Sequence, residues 1–515
     1  MADVPRTNTF ANLSIRSKAR MQNPSFLQDL IWILKSVPNK RSTKGFLQKY
    51  APLGLNNASS NLIENKLSYG LQKRIAIAKI ADVDSLDDET LYGIGRSIYG
   101  LIRLGINTLV VPTGTDLGIT AKFKMPAEKQ SRWTMLSSLY SQQNRIMRVS
   151  DIFTKAGVLT KPWYSSICQL GPNGAYLEDT NSVFRTLASN YTPIIPSLAF
   201  MPNLKEISID GDEVIYGLTK SLHKPEDDYN VDRLIILDKV GGMPCAKRRQ
   251  GSSHVLINLA QEYEELRKTL PKHHIKNLFL AQRCLKMLSK EASAIVTTPN
   301  EAMLTNSSMD RNPLIHNILT ERSIFSCSLP RDRSPITKTT LLRAGVPVYI
   351  CMGTECITDG SVSWERLWML INDSFNRTLD MEAYLKRLKN SLAAVIVAGD
   401  YAGTAIVTYE KVNDGKAKVP YLDKLAVSKN AQGSAAISDV LFNAMIELFP
   451  KELIWRSRLD NPVNKWYFER SVGSLKSPKT PWRLFWTGDI QVKNLDHIEH
   501  YLNVIDRIQP TWLND

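Results

Sequence analysis

The chain reads Y-L-D-K-L-A-V-S-K-N-A-Q-G-S-A-A from Tyr421 to Ala436 and L-I-W-R-S-R-L-D-N-P-V-N-K-W-Y-F-E-R from Leu453 to Arg470. Between these stretches, apolar residues recur at the i, i+3, i+4 spacing of an amphipathic helix. A further alternating stretch, W-R-L-F-W, follows at 482–486 and predicts a buried strand. The order is therefore strand, glycine-bearing turn, helix, strand, short helix and strand, which predicts an α/β domain.

Three cations are concentrated on the two strands of this motif. Because alternate side chains of a strand share a face, Leu422, Lys424 and Ala426 are predicted to lie together, opposite the odd-numbered residues. The same alternation puts Arg456 and Arg458 on one face, about 6.6 Å apart at ~3.3 Å per residue. A single lysine or arginine is usually a surface side chain or an ion pair. Two guanidiniums beside a lysine instead favour a carboxylate ligand, which arginine binds in bidentate fashion.

Two helix starts in the motif suggest further chemistry. Gln432, Gly433 and Ser434 precede the amphipathic helix, whose unpaired N-terminal amides form an anion site suited to a pyrophosphate. Asn461-Pro462 predicts the cap and first turn of the short helix. That helix carries Tyr467, which is either a core residue or a general acid.

The composition of the whole chain excludes several classes of protein. With 515 residues, 43% hydrophobic and 22% charged, it is long enough for two or three globular domains, and no apolar run approaches the ~20 residues of a membrane span. Nearly half of the net charge of +15 falls in residues 1–63, which contain nine basic residues and two acidic ones. This basic, serine-bearing stretch predicts a mitochondrial presequence, the alternative being a basic tail. The six cysteines form no C-x-x-C pattern, so we expect them to be reduced and expect no metal site.

Residues 64–325 show the pattern of a second α/β domain. Helical stretches separate short apolar strands, which favours a mainly parallel sheet. The predicted strands are Ile75–Ile80, Asn107–Pro112, Thr192–Ala199, Glu213–Tyr216, Arg233–Asp238 and Ala292–Thr297. Residues 326–341, with two prolines and mixed charge, are predicted to link this domain to the C-terminal domain at 342–515.

Both domains resemble known families. The stretch D-R-L-I-I-L-D-K-V-G-G-M-P at 232–244 and the order of elements over 66–325 are similar to the amino-acid kinase family, whose fold is an α/β sandwich. Because the Lys-x-Gly-Gly phosphate cradle of those kinases is absent, we expect no kinase activity. The blocks Y-L-D-K-L-A-V, Q-G-S, W-R-S-R-x-x-N-P-V-N-K-W-Y-F and W-R-L-F-W resemble the GNAT-type acetyltransferase domain of N-acetylglutamate synthases. The whole chain resembles the fungal mitochondrial members of that family.

The resemblance implies a site and a reaction. Lys424, Arg456, Arg458 and Asn461 would hold glutamate, and Tyr467 would lie at the reacting centre. Acetyl-CoA would be received by residues 425–436, with the contacts assigned to Ala426, Val427, Gln432, Gly433, Ser434 and Ala435. The expected reaction is direct acetyl transfer to the glutamate α-amine, the first step of arginine biosynthesis. A backbone N–H between Leu425 and Val427 would stabilise the oxyanion, and Tyr467 would protonate the departing thiolate.

The resemblance also implies a mitochondrial matrix location, a homo-oligomer, arginine feedback and a possible complex with acetylglutamate kinase, without a nucleic acid or membrane partner. Two other functions remain open from the residues. One is a non-catalytic, arginine-sensing regulatory subunit of acetylglutamate kinase. The other is an RNA-binding protein, suggested by the basic charge and by the aromatic and basic residues at 482–486; salt-dependent RNA affinity would support it.

Overall fold

The computed structural model describes residues 73–114, 127–224, 229–246, 248–303, 312–412, 417–429, 431, 437–488 and 495–513. The predicted presequence, residues 1–63, lies outside these ranges. None of the helices in the described ranges combines the length and apolar character that crossing a bilayer requires. The same ranges contain no cluster of three or more metal-binding side chains.

The strands and helices are numbered in chain order. The strands are β1 (Lys73–Ile80), β2 (Asn107–Pro112), β3 (Thr160–Pro162), β4 (Cys168–Gly171), β5 (Gly174–Leu177), β6 (Thr192–Ile194), β7 (Leu198–Phe200), β8 (Glu206–Ser208), β9 (Tyr229–Leu237), β10 (Leu256–Asn258), β11 (Ser293–Thr297), β12 (Thr340–Arg343), β13 (Val348–Met352), β14 (Leu392–Ala398), β15 (Gly403–Val412), β16 (Ala417–Val427), β17 (Leu453–Arg458), β18 (Gly473–Lys476) and β19 (Trp482–Thr487). The helices are α1 (Asp88–Arg103), α2 (Ala127–Lys155), α3 (Thr180–Ala188), α4 (Gly211–Leu222), α5 (Leu259–Thr269), α6 (Lys272–Leu285), α7 (Pro299–Ala302), α8 (Pro313–Thr320), α9 (Trp364–Phe375), α10 (Met381–Leu388), α11 (Ile437–Leu448), α12 (Asn464–Arg470) and α13 (Leu495–Arg507).

The chain divides into two compact units. The first runs to Gly242 and includes Phe279–Ile324 and Lys338–Leu341, and the second comprises Met243–Leu278, Phe325–Thr337 and Leu342 onward. Much of the segment predicted as a linker therefore belongs to the second unit. The boundaries 64–325, 326–341 and 342–515 remain a prediction for the two domains.

The first unit contains the expected parallel sheet. Its strands run in the order β11-β9-β1-β2-β6-β3, and every adjacent pair is parallel. The central strands are buried, as parallel strands covered on both faces are. A smaller sheet has the order β5-β4-β7-β8. The α/β fold class with a mainly parallel N-terminal sheet is confirmed.

Two predicted strands of this unit are wrong in detail. Glu213–Tyr216 lies inside α4, because Asp210 caps the helix by accepting from the N–H of Asp212, and the buried apolar residues then recur at helical spacing. Thr192–Ala199 is not one strand but two, β6 and β7. Pro196, which has no N–H to donate to a ladder, lies between them.

The second unit is built on one seven-stranded sheet. The strand order is β13-β14-β15-β16-β17-β19-β18, and the pair β16–β17 is parallel whereas the other pairs are antiparallel. One face packs against α11 and α12 in a core that includes Leu422, Phe442 and Trp455. The opposite face packs against α9, α10 and α13. We call these the α11/α12 face and the α9/α10/α13 face.

The cysteines differ from the expectation at one pair. Cys351 and Cys356 form a disulfide, so the prediction that all cysteines are reduced is wrong for these two. They are five positions apart and are the only close pair of cysteines in the sequence. The other four cysteines are not disulfide-bonded.

Candidate active site

The central strands β16 and β17 separate soon after they meet. They pair only at Tyr421–Ile454 and Leu422–Trp455. Beyond Leu422, β16 remains paired to β15 on its other edge, as far as Val427. The edge of β16 that faces β17 is therefore open over residues 423–427, within the described part of the sheet. We call this gap the β16/β17 opening.

Two backbone N–H groups of β16 lie on the edge of the opening, and they differ in their surroundings. The N–H of Ser428 donates to the carbonyl of Ala402, at 3.0 Å, on the β15 side. The N–H of Val427 points to the other edge and donates to Ser374 Oγ of α9 at 3.2 Å. Because N–H groups two residues apart share an edge of a strand, the N–H of Leu425 also faces the opening. Leu425 is therefore the better placed of the two predicted oxyanion donors, since the N–H of Val427 already has an acceptor.

A β-bulge changes the predicted faces of β16. The register with β15 shifts between Ile406 and Val407, so that Ile406 pairs with Lys424 and Val407 with Leu422, leaving Asp423 as the extra residue. Leu422 packs in the α11/α12 core, whereas Asp423 and Lys424 both contact α10 on the other face. The prediction that Leu422 and Lys424 share a face is therefore wrong.

Lys424 belongs to a compact ionic network. Its Nζ lies 2.9 Å from Asp423 Oδ2, and its side chain is 11% exposed. Asp423, with a 2% exposed side chain, also pairs with Arg387 and accepts a hydrogen bond from the Tyr384 hydroxyl at 2.7 Å. Burial acts to raise the pKa of Asp423, but the Lys424 ammonium and the Arg387 guanidinium outweigh it and hold the pKa well below the usual range. The carboxylate is therefore ionised at neutral pH.

Two aromatic rings flank the same lysine. Its Nζ lies 5.0 Å from the ring centre of Tyr384 and 5.5 Å from that of Trp512. Both distances are within the range of cation–π attraction. Lys424 is thus a charged group held in place within a largely buried setting.

The two arginines of β17 point to the α9/α10/α13 face but have different surroundings. Arg456 Nη1 donates to the backbone carbonyls of Ile505 and Ile508, at 2.7 Å for the second, and its guanidinium stacks 4.1 Å above Trp482. Arg458 is half exposed and lies 3.4 Å from Asp460. Arg458 is therefore the more accessible of the two for a ligand.

Asn461 begins a turn before α12 and not the helix itself. Its Oδ1 accepts from the N–H of Val463 at 2.9 Å, and its Nδ2 donates to Ser457 Oγ at 2.8 Å. The helix starts three residues later, at Asn464. The predicted helix start is displaced because the Asn461-Pro462 cap closes a separate turn first.

Tyr467 lies on the α11/α12 face, against the opposite side of the sheet from Lys424. Its ring is 5.7 Å from that of Trp455 and 5.6 Å from that of Phe485. Burial raises the pKa of its hydroxyl to about 12. The raised pKa keeps the hydroxyl protonated at neutral pH, and among the described residues it has no hydrogen-bond partner, so it is available as a donor.

Two arginines hold the helix that carries Tyr467. Arg470, whose side chain is 3% exposed, donates to Trp466 O (3.0 Å) and to Asp439 Oδ1 (2.8 Å). It also donates to the hydroxyls of Ser326 and Ser328, both at 2.6 Å. Arg333 donates to the carbonyls of Phe468 and Ser471 at 3.0 and 2.9 Å. The segment around 326–333, predicted as a linker, is therefore anchored to α12.

Of the remaining predicted contacts, four lie outside the described residues and one lies in β16. Gln432, Gly433, Ser434 and Ala435 lie outside the described residues. Ala426 is buried in β16, in the core on the α9/α10/α13 face. The predicted site thus divides into Lys424, Arg456 and Arg458 on one face and Tyr467 on the other, with the Leu425 N–H at the opening.

Several residues of the site were not predicted from the sequence. They are Ser374, Tyr384, Arg387, Asp423 and Trp512. Asp423 had the clearest signal, because a carboxylate beside a lysine within an apolar strand needs a partner. The others come from distant helices and from the C-terminal segment, so only the folded chain brings them to β16.

Comparison with known proteins identifies the family. Residues 354–508 match the model of the N-acetyltransferase domain of N-acetylglutamate synthase. The chain is 65% identical to the mitochondrial amino-acid acetyltransferase of Schizosaccharomyces pombe over 501 residues, covering 96% of this chain and 100% of the relative. It is 48% identical to that of Schizosaccharomyces japonicus, with 96% and 99% covered. Among solved structures, the N-acetylglutamate synthase of Neisseria gonorrhoeae, complexed with coenzyme A and L-arginine, is 14% identical with a TM-score of 0.40, covering 84% of this chain and 99% of that one.

The family-model match and the two relatives, together with the GNAT-like order of strands and helices in the second unit, define an acyltransferase that acts on amino acids and takes its acetyl group from acetyl-CoA. The chain belongs to the family of mitochondrial amino-acid acetyltransferases. The predicted enzyme class, cosubstrate and mitochondrial location are confirmed.

Proposed function

We propose that the second unit transfers acetyl from acetyl-CoA directly to the α-amine of L-glutamate at the β16/β17 opening. The observation that carries this proposal is the division of the site between the two faces of one sheet. The cations suited to a dicarboxylate lie on the α9/α10/α13 face, and Tyr467 lies on the α11/α12 face. Acceptor and donor can then approach from opposite sides and meet where the strands separate.

The acceptor side matches the charges of glutamate. Arg458 is accessible, and Arg456 lies two residues before it on the same strand. Lys424 of β16 lies on the same face of the sheet as these two arginines. A carboxylate binds guanidinium and ammonium donors through charge-assisted hydrogen bonds. In this proposal these three cations bind the two carboxylates, and the amide of Asn461 contacts the acceptor beside them.

The donor side is formed by β16 and the start of α11. Val427 would accept a hydrogen bond from the pantetheine arm through its carbonyl, which shares the open edge with its N–H, whereas the backbone of Ala426 faces β15, so Ala426 would only line the site. Gln432, Gly433, Ser434 and Ala435 would surround the pyrophosphate before the helix, where unpaired amides favour an anion. The approach of acetyl-CoA along β16 brings its thioester beside Leu425.

The chemical step needs two groups of this chain and water as a proton acceptor. A water takes one proton from the glutamate ammonium, the free amine attacks the thioester carbonyl, and a water takes the second proton from the nitrogen as the C–S bond breaks and the amide forms. The N–H of Leu425 stabilises the developing oxyanion. As the C–S bond breaks, the Tyr467 hydroxyl donates to the departing sulfur. With a pKa of about 12, this phenol is a weaker acid than a thiol at about 8.5, so it stabilises the leaving sulfur mainly as a hydrogen-bond donor.

Cys327, which lies against α11, is not suited to carry an acetyl group, and this favours direct transfer. Cys327 accepts a hydrogen bond from Asn443, and burial raises the pKa of its thiol far above the usual range. Such a thiol is inert as a nucleophile. A ternary complex without an acetyl-enzyme is therefore the proposed route.

Initial-velocity kinetics test this route. Varying glutamate at several fixed concentrations of acetyl-CoA should give intersecting double-reciprocal lines, as a ternary complex requires. Parallel lines, together with exchange of label between acetyl-CoA and CoA in the absence of glutamate, would show a covalent acetyl-enzyme and contradict the proposal.

The first unit is proposed to have no phosphoryl-transfer activity. Lys79 at the end of β1 is largely buried and paired with Asp212. Lys239, which follows β9, lies 3.3 Å from Asp82. Acidic partners at both lysines disfavour a phosphate there by charge repulsion.

This unit is instead proposed to bind arginine as a feedback inhibitor and to mediate homo-oligomer formation and a complex with acetylglutamate kinase. Arginine titration, light scattering and co-purification with that kinase test the three proposals separately.

A further inference from the structure

The last described residues form a segment, Ile508–Leu513, that is attached at both ends to the α9/α10/α13 face. At its start, the carbonyl of Ile508 accepts from Arg456 Nη1 at 2.7 Å. At its end, Trp512 forms a β-bridge with Leu379. We call residues 508–513 the C-terminal segment. It extends from β17 to the loop before α10 and so passes the acceptor side of the opening.

The bridge at its end is supported by flanking hydrogen bonds. The N–H of Asp380 donates to Thr511 O at 3.0 Å, and the N–H of Leu513 donates to Thr378 O at 2.9 Å. The Trp512 ring also packs against Phe375, with 5.2 Å between ring centres. Backbone and side chain are thus both fixed, so the position of the indole is determined by the fold.

This placement brings the indole to the one lysine of the acceptor side. Trp512 and Tyr384 flank Lys424 Nζ, and Asp423 binds it. An ammonium has three donors, and the hydrogen bond to Asp423 uses one of them. The rings accept no conventional hydrogen bond, so they confine the ammonium while leaving donors for a carboxylate.

We propose that Trp512 is a positioning residue for the amino-acid acceptor, acting through Lys424. The inference rests on the proposed role of Lys424 in glutamate binding. Without the indole, the flexible lysine stem regains rotamers that glutamate binding must then restrict again, and water reaches the ion pair. The C-terminal segment also contacts Arg456, so one short stretch of chain holds two of the predicted glutamate ligands. Trp512 lies beyond the residues that match the N-acetyltransferase model, which end at 508.

Steady-state kinetics of Trp512→Ala and Trp512→Phe in the full chain test this role. Trp512→Ala should raise the glutamate KM roughly 5–20-fold, within the range of a partly desolvated cation–π contact. The acetyl-CoA KM should change less than about twofold, because uniform damage to the unit would alter both constants. Trp512→Phe, which keeps an aromatic face, should restore most of the affinity for glutamate. An unchanged glutamate KM, or equal changes in both KM values, would overturn the inference.

A double-mutant cycle distinguishes positioning from general stability. In a Lys424→Ala background, Trp512→Ala should have almost no further effect on the glutamate KM, whereas additive effects would contradict action through Lys424. Tyr409→Ala serves as the matched control, because Tyr409 is an exposed aromatic residue of the same sheet that packs on Phe449. If Lys424→Ala raises the glutamate KM and Trp512→Ala does not, only this inference fails. If Lys424→Ala itself leaves the glutamate KM unchanged, the proposed acceptor site fails with it.

Discussion

Asp423 and Lys424 are adjacent in the sequence, and their side chains nevertheless form an ion pair with 2.9 Å between Oδ2 and Nζ. Neighbouring residues of a regular strand point to opposite faces, so this pair depends on the bulge in β16. The bulge occurs where β16 parts from β17. The same local feature therefore opens the sheet edge, turns the Leu425 N–H toward the gap and brings a charged pair to the acceptor side.

Replacing Asp423 with asparagine should destabilise the second unit. The substitution leaves Arg387 and Lys424 without their shared carboxylate, and breaking a buried pair costs roughly 3–5 kcal/mol. Because the pKa of Asp423 is lower in the folded chain than in the unfolded one, its stabilisation is present at neutral pH and is lost as pH falls below about 4.

Urea unfolding of the wild-type and Asp423→Asn proteins from pH 7 to about pH 2 measures this effect, because the stabilisation changes only below the pKa of the unfolded carboxyl, about 3.9. The difference in the free energy of unfolding should be largest at neutral pH and should shrink toward the acid end. A difference that grows as the pH falls would contradict the ionised state assigned to Asp423.

Tyr467→Phe should lower kcat and change both KM values little. The phenylalanine keeps the packing against Trp455 and Phe485 and removes only the hydroxyl that stabilises the leaving sulfur. The expected loss is roughly 10²-fold, the low end of general acid catalysis. Tyr409→Phe, away from the opening, is the control for removing a tyrosine hydroxyl. A kcat within error of the wild-type value would exclude Tyr467 from the chemical step.

Arg458→Ala should raise the glutamate KM far more than that of acetyl-CoA. We expect roughly 10–100-fold, corresponding to ~1.5–3 kcal/mol for a hydrogen bond to a charged group. Arg456→Ala should have the same selectivity together with a loss of stability, because Arg456 also binds the carbonyls at the end of α13. Comparable effects of Arg458→Ala on both KM values would contradict the assignment to the acceptor side.

Arg470→Ala should both destabilise the second unit and reduce kcat. Arg470 is buried and joins Asp439, Ser326 and Ser328 to the carbonyl of Trp466, next to the proposed catalytic tyrosine. Loss of this buried partner costs about 3–5 kcal/mol. Arg333→Ala removes exposed donors to the same helix and should lower kcat with a smaller change in unfolding midpoint. If neither substitution alters kcat, the position of α12 does not control the reaction.

Most of the strands and helices of the second unit follow from local patterns that the sequence displays. The alternation at 453–458 and 482–486 corresponds to β17 and β19, and the apolar spacing after residue 436 corresponds to α11. These elements bury one face each, so the pattern and the packing agree. The prediction of a strand at Glu213–Tyr216 was wrong because a run of four residues cannot distinguish a strand from part of a helix. The cap at Asp210 determines that this stretch is helical.

The arrangement of the site depends on relationships that no local pattern contains. The bulge at Asp423 reverses the faces of β16 because the register with β15 shifts, and that shift is a property of two strands together. Trp512 reaches Lys424 through a bridge to Leu379, which is more than one hundred residues earlier in the chain. Chemistry-bearing residue types could thus be predicted, but their faces and partners required the folded chain.

The most direct test of the account is the release of CoA thiol by the purified protein with acetyl-CoA and a panel of acceptors. Glutamate, aspartate, glutamine and ornithine are offered separately at equal concentration. We expect turnover with glutamate and little with the others, because glutamine and ornithine lack the second carboxylate and the side chain of aspartate is one methylene too short for both carboxylates to reach Lys424, Arg456 and Arg458 together. Equal or faster turnover with glutamine or ornithine, or no turnover with glutamate from a folded protein that binds acetyl-CoA, would contradict it.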